Sequence, residues 1–122
     1  MREILLVALG GGAGAALRAA IDLLAARFGL AAASATLAIN VGGSLAAGFL
    51  VAIVVERGAL SPVLRPLLVV GILGGFTTFS TFAVQALRLG EGAPLSALAY
   101  VAASIILGLL AAAAGLAIGR AA

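Results

Sequence analysis

The sequence contains no cysteine, no histidine, no lysine and no tryptophan, and only four acidic residues among 122 positions. Without cysteine there is neither a disulfide nor a thiolate metal site. Serine hydrolysis needs a base beside its nucleophile, and metal-dependent hydrolysis needs histidine, cysteine or clustered carboxylates. Because the sequence supplies neither arrangement, we do not expect an enzyme, and we expect no organic cofactor.

Charge of either sign is also scarce. Seven arginines against four acids give a net charge of +3, and the pI of about 11.2 arises from these few groups. The arginines are scattered singly rather than clustered on one face. This pattern is not the footprint of a nucleic-acid-binding surface, so no nucleic-acid partner is expected.

Apolar residues are abundant, at 65% of the chain, with a mean hydropathy of +1.35. Four stretches reach the ~20 residues that a membrane-spanning helix needs, at residues 4–27, 32–55, 62–87 and 94–118. Pro62 and Pro94 suit the first turns of the third and fourth helices. The sequence predicts an all-α integral membrane protein, with one four-helix transmembrane domain over residues 1–122, placed as a multi-pass protein in the cell inner membrane.

The third stretch is interrupted at residues 74–82, which read Gly-Gly-Phe-Thr-Thr-Phe-Ser-Thr-Phe. Paired glycines and β-branched residues are poor helix formers, so we expect the helix to break between Gly74 and Thr78. Backbone broken at bilayer depth is tolerated only inside protein or along a watery cavity. The first half-helix should end near Gly74 and Gly75 with free carbonyls that favour a cation. The second should begin near Thr77 and Thr78 with free amides that favour an anion or a capping hydroxyl.

Two lines of polar residues, each with a spacing of four, run along the second and fourth spans: Thr36, Asn40 and Ser44, and Ser96, Tyr100 and Ser104. Interhelical hydrogen bonding is the simpler interpretation of the hydroxyls. Asn40 differs, because its amide has two donors and two acceptor sites that lipid cannot satisfy. It must face protein or water, and a neutral amide beside hydroxyls suits a path for a small anion.

Two further pairs have more than one interpretation. Phe79 and Phe82 lie three residues apart on one helix face. They are either core packing or ring edges, whose positive rim can touch a partly dehydrated anion. Arg18 and Asp22 lie one turn apart in the first span. We expect them to pair near the membrane interface, and the alternative is that Arg18 attracts anions to a vestibule.

Four spans place both termini on one side, with arginines divided four against two or three across the membrane. Charge counting alone favours a single orientation with cytoplasmic termini, although so small a bias also suits insertion in both orientations. Small residues four apart, as at Gly10 and Gly14, or Gly115 and Gly119, favour close helix contacts. Since four short helices enclose little space, we expect an oligomer.

The chain resembles the Fluc fluoride channels, also called CrcB proteins. The resemblance covers the whole length and lies in the glycine-rich first helix around Gly11 to Arg18, in Asn40 followed by Gly42 and Gly43, and in the motif of residues 74–82. It implies an antiparallel, dual-topology homodimer with two fluoride pores and a central structural sodium ion. With the resemblance, the balanced arginines indicate dual insertion.

The resemblance also implies roles for individual residues. Asn40 would donate to fluoride, and the ring edges of Phe79 and Phe82 would contact it. The backbone carbonyls of Gly74 and Thr77 would hold the sodium ion. A polar pathway would include Ser80, Thr81, Thr36, Tyr100 and Ser104, and Arg18 matches the arginine of the family's first helix. Gly108 is a departure, because a further hydroxyl there would extend the line on the fourth span.

The favoured function is passive, selective fluoride export. The runner-up is a proton-coupled exporter of the small multidrug-resistance type, with similar length and four spans. Such an exporter needs a membrane carboxylate, usually within an aromatic cage; only Asp22 is available, one turn from Arg18, and tryptophan is absent. A purely structural membrane subunit is disfavoured by the broken helix and the polar lines.

Overall fold

The computed structural model describes residues 1–59, 61 and 63–122 of the chain. The helices are α1 (Arg2–Arg27), α2 (Ala32–Leu50), α3 (Gly74–Phe76), α4 (Phe79–Gly92) and α5 (Pro94–Ala121). Two π-helical segments, Val51–Glu56 and Pro66–Leu73, extend α2 and precede α3.

Four stretches of the described chain are helical, long and apolar enough to cross a membrane: Arg2–Arg27, Ala32–Glu56, Pro66–Gly92 and Pro94–Ala121. The expected all-α architecture with four spans is confirmed. Pro94 begins its helix as predicted. Pro62, expected to begin the third span, lies outside the described residues, and Pro66 stands in the first turn of the π-helical segment.

The first and third spans run parallel, because glycines bring their backbones together. A Cβ built on Gly10 would lie 3.0 Å from Ile72 N, and one built on Gly14 would lie 2.8 Å from Phe76 N. Contacts therefore advance along both spans in the same direction. A side chain at either glycine would meet backbone rather than a movable side chain, so these positions require glycine for close packing.

The second and fourth spans form the other parallel pair. A Cβ on Gly48 would lie 2.9 Å from Leu116 N, and one on Gly119 would lie 2.8 Å from Phe49 O. At the end of this pair Arg120 forms two hydrogen bonds of 2.7 Å with the Glu56 carboxylate. Arg57 donates to Gly119 O at 3.1 Å. Two parallel pairs in a chain of four spans fit the up-and-down order predicted from the sequence.

The break in the third span is narrower than expected. Gly74 and Gly75 are helical, and the helix ends only after Phe76. Thr77 and Thr78 are extended, with ψ of 156° and 115°. The first half-helix, expected to end near Gly74 and Gly75, ends one residue later, because Gly75 serves packing: a Cβ there would clash with the backbone of Gly11. The π-helical segments were not predicted.

The glycine contacts predict different tolerance at two positions of α5. A Cβ on Gly115 would lie 2.8 Å from Phe49 N, whereas one on Gly108 would lie 3.7 Å from Ser44 Oγ, an ordinary contact. Gly115→Ala should therefore destabilise the protein by about 2 kcal/mol through overpacking, and Gly108→Ala should change stability by less than about 0.5 kcal/mol. Unfolding of the purified protein in detergent measures both, and equal stabilities would contradict the predicted close approach.

Candidate functional site

A cavity of about 470 Å³ opens beside the break in the third span. Its lining combines polar residues of α2, of α5 and of the break with aromatic rings of α4. Among the lining residues are Asn40, Ser44, Gly74, Thr77, Thr78, Phe79, Phe82 and Ser104. The second span approaches the break because Gly43 has no side chain. A Cβ at this position would clash with the Thr77 methyl group.

Asn40 holds the break by pairing with the backbone of Thr78 in both directions. Its Nδ2 donates to Thr78 O at 3.0 Å, and its Oδ1 accepts from Thr78 N at 2.8 Å. The amide orientation follows from this pairing, because a backbone N–H only donates and a carbonyl only accepts. One Nδ2 hydrogen is used on Thr78, so the second is available to donate toward the cavity that Asn40 lines.

The pairing with Asn40 and the cap formed by the Thr78 hydroxyl each release one carbonyl from helical hydrogen bonding. In an unbroken helix the Thr78 N–H would bond to Gly74 O, but it bonds to Asn40. The Thr81 N–H would bond to Thr77 O, but it bonds to the Thr78 hydroxyl at 3.2 Å, which caps α4. Gly74 and Thr77 thus have carbonyl oxygens whose helical partners are engaged elsewhere. Hard cations prefer oxygen ligands of this kind.

Three aromatic rings form a line beside the cavity. The ring centroids of Phe79 and Phe82 are 5.6 Å apart with an interplanar angle of 49°, and those of Phe82 and Tyr100 are 5.4 Å apart at 50°. These tilted arrangements turn ring edges toward neighbouring groups. Tyr100 is buried, whereas Phe79 is 78% exposed. The line therefore begins at the protein surface and ends in the interior.

A second cavity, of about 170 Å³, lies beside the first two turns of α4 and is lined by Asp22, Ala25, Ala26, Leu30, Ala32, Ala35, Thr36, Thr81 and Gln85. Two side-chain connections join it to the first cavity. The Thr78 hydroxyl donates to Thr81 Oγ1 at 3.0 Å. The Tyr100 hydroxyl donates to Gln85 Oε1 at 2.9 Å, and the Tyr100 ring packs on Phe82.

The structure brings most of the predicted site residues to one of these cavities. Asn40, Phe79, Phe82, Ser104, Gly74 and Thr77 line the first, and Thr36 and Thr81 line the second. Ser80 lies 3.4 Å from Thr78 Oγ1, and Tyr100 joins the cavities as described. The hydroxyls of Ser44 and Ser104 donate to carbonyls one turn earlier, Asn40 O and Tyr100 O. The roles of these residues toward fluoride stay predictions.

The arginine of the first span differs from expectation. Within the part of the chain that the structure describes, Arg120–Glu56 is the only ion pair, so Arg18 and Asp22 do not pair. Arg18 is half-buried and lines neither cavity. Asp22 instead lines the second cavity.

Sequence reasoning missed Gln85 and gave Thr78 only a capping role. A signal for Gln85 was present, because it is the only glutamine in the sequence and lies four residues after Thr81, on the same helix face. No sequence pattern indicated that the backbone of Thr78 would be the partner of Asn40, 38 positions away.

Known proteins are similar to this protein over nearly the whole chain. Residues 5–116 match the family described as CrcB-like protein, Camphor Resistance (CrcB). A protein of Methylobacterium sp. (strain 4-46) is 47% identical over 121 residues, covering 98% of each chain. Proteins of Paracoccus denitrificans and Rhizobium meliloti are each 45% identical, covering 93% and 99% of this chain and 91% and 98% of their own.

All three relatives are named fluoride-specific ion channel FluC. They are channels and not enzymes, which confirms the expectation drawn from the absence of catalytic residue types. With four helices able to cross a membrane, the chain is a multi-pass membrane protein, and it belongs to the CrcB family.

Proposed function

We propose that the protein is a fluoride-selective channel for passive fluoride export, which lowers cytoplasmic fluoride and its toxicity. The observation that carries the proposal is the Asn40 amide. One Nδ2 hydrogen is fixed on Thr78 O, and the other remains for an anion in the adjoining cavity. The names of the relatives at about 45% identity support the same function.

The site binds an anion with neutral groups only. The residues that line the first cavity include the Asn40 amide, several hydroxyls and two phenylalanine rings, but no charged side chain. The second N–H of the Asn40 amide and the ring edges would replace part of the hydration shell of fluoride, without holding the ion as tightly as an arginine would. Conduction needs this balance between entry and release. Fluoride that enters as the neutral acid ionises inside the cell, and the membrane potential then drives the anion outward through an open pore.

We further propose that the working unit is an antiparallel, dual-topology homodimer in the inner membrane. Phe79 projects from the subunit with 78% of its surface exposed, and the first cavity opens on the same side. An aromatic pore residue needs a covering surface, which a second copy would provide in addition to lipid. The nearly balanced arginines permit the two opposite orientations that such a pair requires.

A structural sodium ion fits the carbonyls at the break. One subunit offers the oxygens of Gly74 and Thr77, whose helical partners are engaged elsewhere, and a second copy would offer the same two. Four neutral carbonyl oxygens suit a monovalent hard cation rather than a transition metal. Sodium there would supply positive charge that stabilises the contact between the two broken helices.

The alternative function is proton-coupled export by a protein of the small multidrug-resistance type. One observation favours it, because Asp22 lies in a cavity without an ion-pair partner among the described residues. Against it, Asp22 lies in the last two turns of α1 rather than at its middle, and the first cavity lacks the carboxylate that proton exchange would use.

Efflux from proteoliposomes separates the two functions. Purified protein should release fluoride down its gradient and leave chloride inside, at a rate independent of an imposed proton gradient, since the pore offers neutral donors only. Asn40→Asp, which replaces the donor with a repelling carboxylate, should abolish this flux in a folded protein. Chloride release at the fluoride rate, or uphill fluoride movement driven by protons, would contradict the proposed channel.

Sodium removal tests the carbonyl site without relying on flux. Exchange of sodium for N-methylglucamine should lower the melting temperature of the detergent-solubilised dimer, because four carbonyl oxygens would then face each other without a cation. Restored sodium should reverse the loss. An identical melting temperature and oligomeric state in the two buffers would exclude a structural sodium ion at Gly74 and Thr77.

A further inference from the structure

The second cavity is lined in part by the exposed carboxylate of Asp22, which the fluoride pathway does not explain. Asp22 is the only charged residue in its lining; its polar neighbours there are Thr36, Thr81 and Gln85. An anion path lined by neutral donors has no evident use for a carboxylate. The carboxylate of Asp22 must therefore have another role in this cavity.

The charge of Asp22 is not neutralised by a direct partner. Across residues 1–59, 61 and 63–122 the one ion pair joins Arg120 and Glu56, at the end of the second and fourth spans. Arg18, one turn before Asp22, does not line the cavity. Asp22 is itself exposed, so the field of its carboxylate reaches the cavity from the rim and is weakened by water.

The second cavity is separate from the proposed fluoride site, but hydrogen bonds connect residues that line the two. Thr81 lines the second cavity, and its hydroxyl accepts from Thr78, which lines the first. Gln85 also lines the second cavity and binds Tyr100, whose ring packs on Phe82. An anion that leaves the Asn40 site along these groups enters the field of Asp22.

The second cavity is small compared with the distance over which salt screens a charge. A compact volume of 170 Å³ is roughly 7 Å across, which is shorter than the Debye length of about 10 Å at 0.1 M salt. Every position in the cavity therefore lies within one Debye length of the carboxylate at about 0.1 M salt. At about 1 M salt the Debye length falls to ~3 Å, and the repulsion should largely disappear.

We propose that Asp22 limits the rate of fluoride passage by repelling anions in the second cavity. This inference rests on the proposed channel function. Asp22 would set the local electrostatic potential without binding the ion. Such a charge would slow the flow of anions, and so the loss of membrane potential, through an open pore. The neutral Asn40 site would keep its preference for fluoride.

The test compares initial fluoride efflux from proteoliposomes at about 10 mM and about 1 M of an impermeant salt, with osmolarity matched by sucrose. Asp22→Asn should raise the rate roughly threefold to tenfold at low salt, and the gain should fade at high salt. Asp22→Glu, which keeps the charge, should retain the parent rate and its salt dependence. Glu3→Gln removes the same charge from α1 at an exposed position that lines neither cavity, and it should leave the rate unchanged.

Other outcomes would overturn the inference. An unchanged or lower rate for Asp22→Asn, with parent fluoride efflux intact, would remove Asp22 from rate control and leave the channel function standing. A gain of equal size at both salt concentrations would indicate altered packing rather than charge. Proton-driven uphill flux that Asp22→Asn abolishes would contradict both this inference and the passive channel.

Discussion

The two-way hydrogen bond between the Asn40 amide and the Thr78 backbone is the interaction on which the site depends. A helix interrupted inside a membrane exposes N–H and C=O groups that lipid cannot satisfy. Asn40 satisfies one of each at Thr78, and the Thr78 hydroxyl satisfies another at Thr81. The break can therefore persist at membrane depth, and a donor hydrogen of Asn40 is held beside the cavity.

The packing of the four spans brings α2 close to the break in the third span. Glycines at Gly10, Gly14 and Gly75 fix the third span against α1, and those at Gly48 and Gly115 fix α5 against α2. Gly43 then lets α2 approach Thr77 closely enough for Asn40 to reach the next residue. Since these contacts involve backbone atoms, they leave little freedom for the two halves of the site to separate, which is the preorganisation that selective binding of a small ion needs.

Much of this arrangement could be predicted from the sequence. Hydropathy and short connections predicted four spans, and the threonines of residues 74–82 predicted the break, because those signals are local. The exact position of the break was not predictable, since both glycines were assigned to the interruption, whereas Gly75 lies in close contact with Gly11. Asn40 was recognised as an amide that needs partners, but Thr78 as its partner depends on tertiary packing. The same is true of Asp22, whose spacing from Arg18 indicated a pair that the fold does not form.

The most direct test of the account follows the two Nδ2 protons of Asn40 by nuclear magnetic resonance. Asn40 is the only asparagine in the sequence, so 15N labelling of asparagine gives one side-chain amide. The account predicts two inequivalent proton resonances, of which one is protected by Thr78 O and little affected by anions, while the other shifts with fluoride and not with equal chloride. Two resonances that stay in place when fluoride is added would show that the amide serves the break alone, and would contradict its role in the pore.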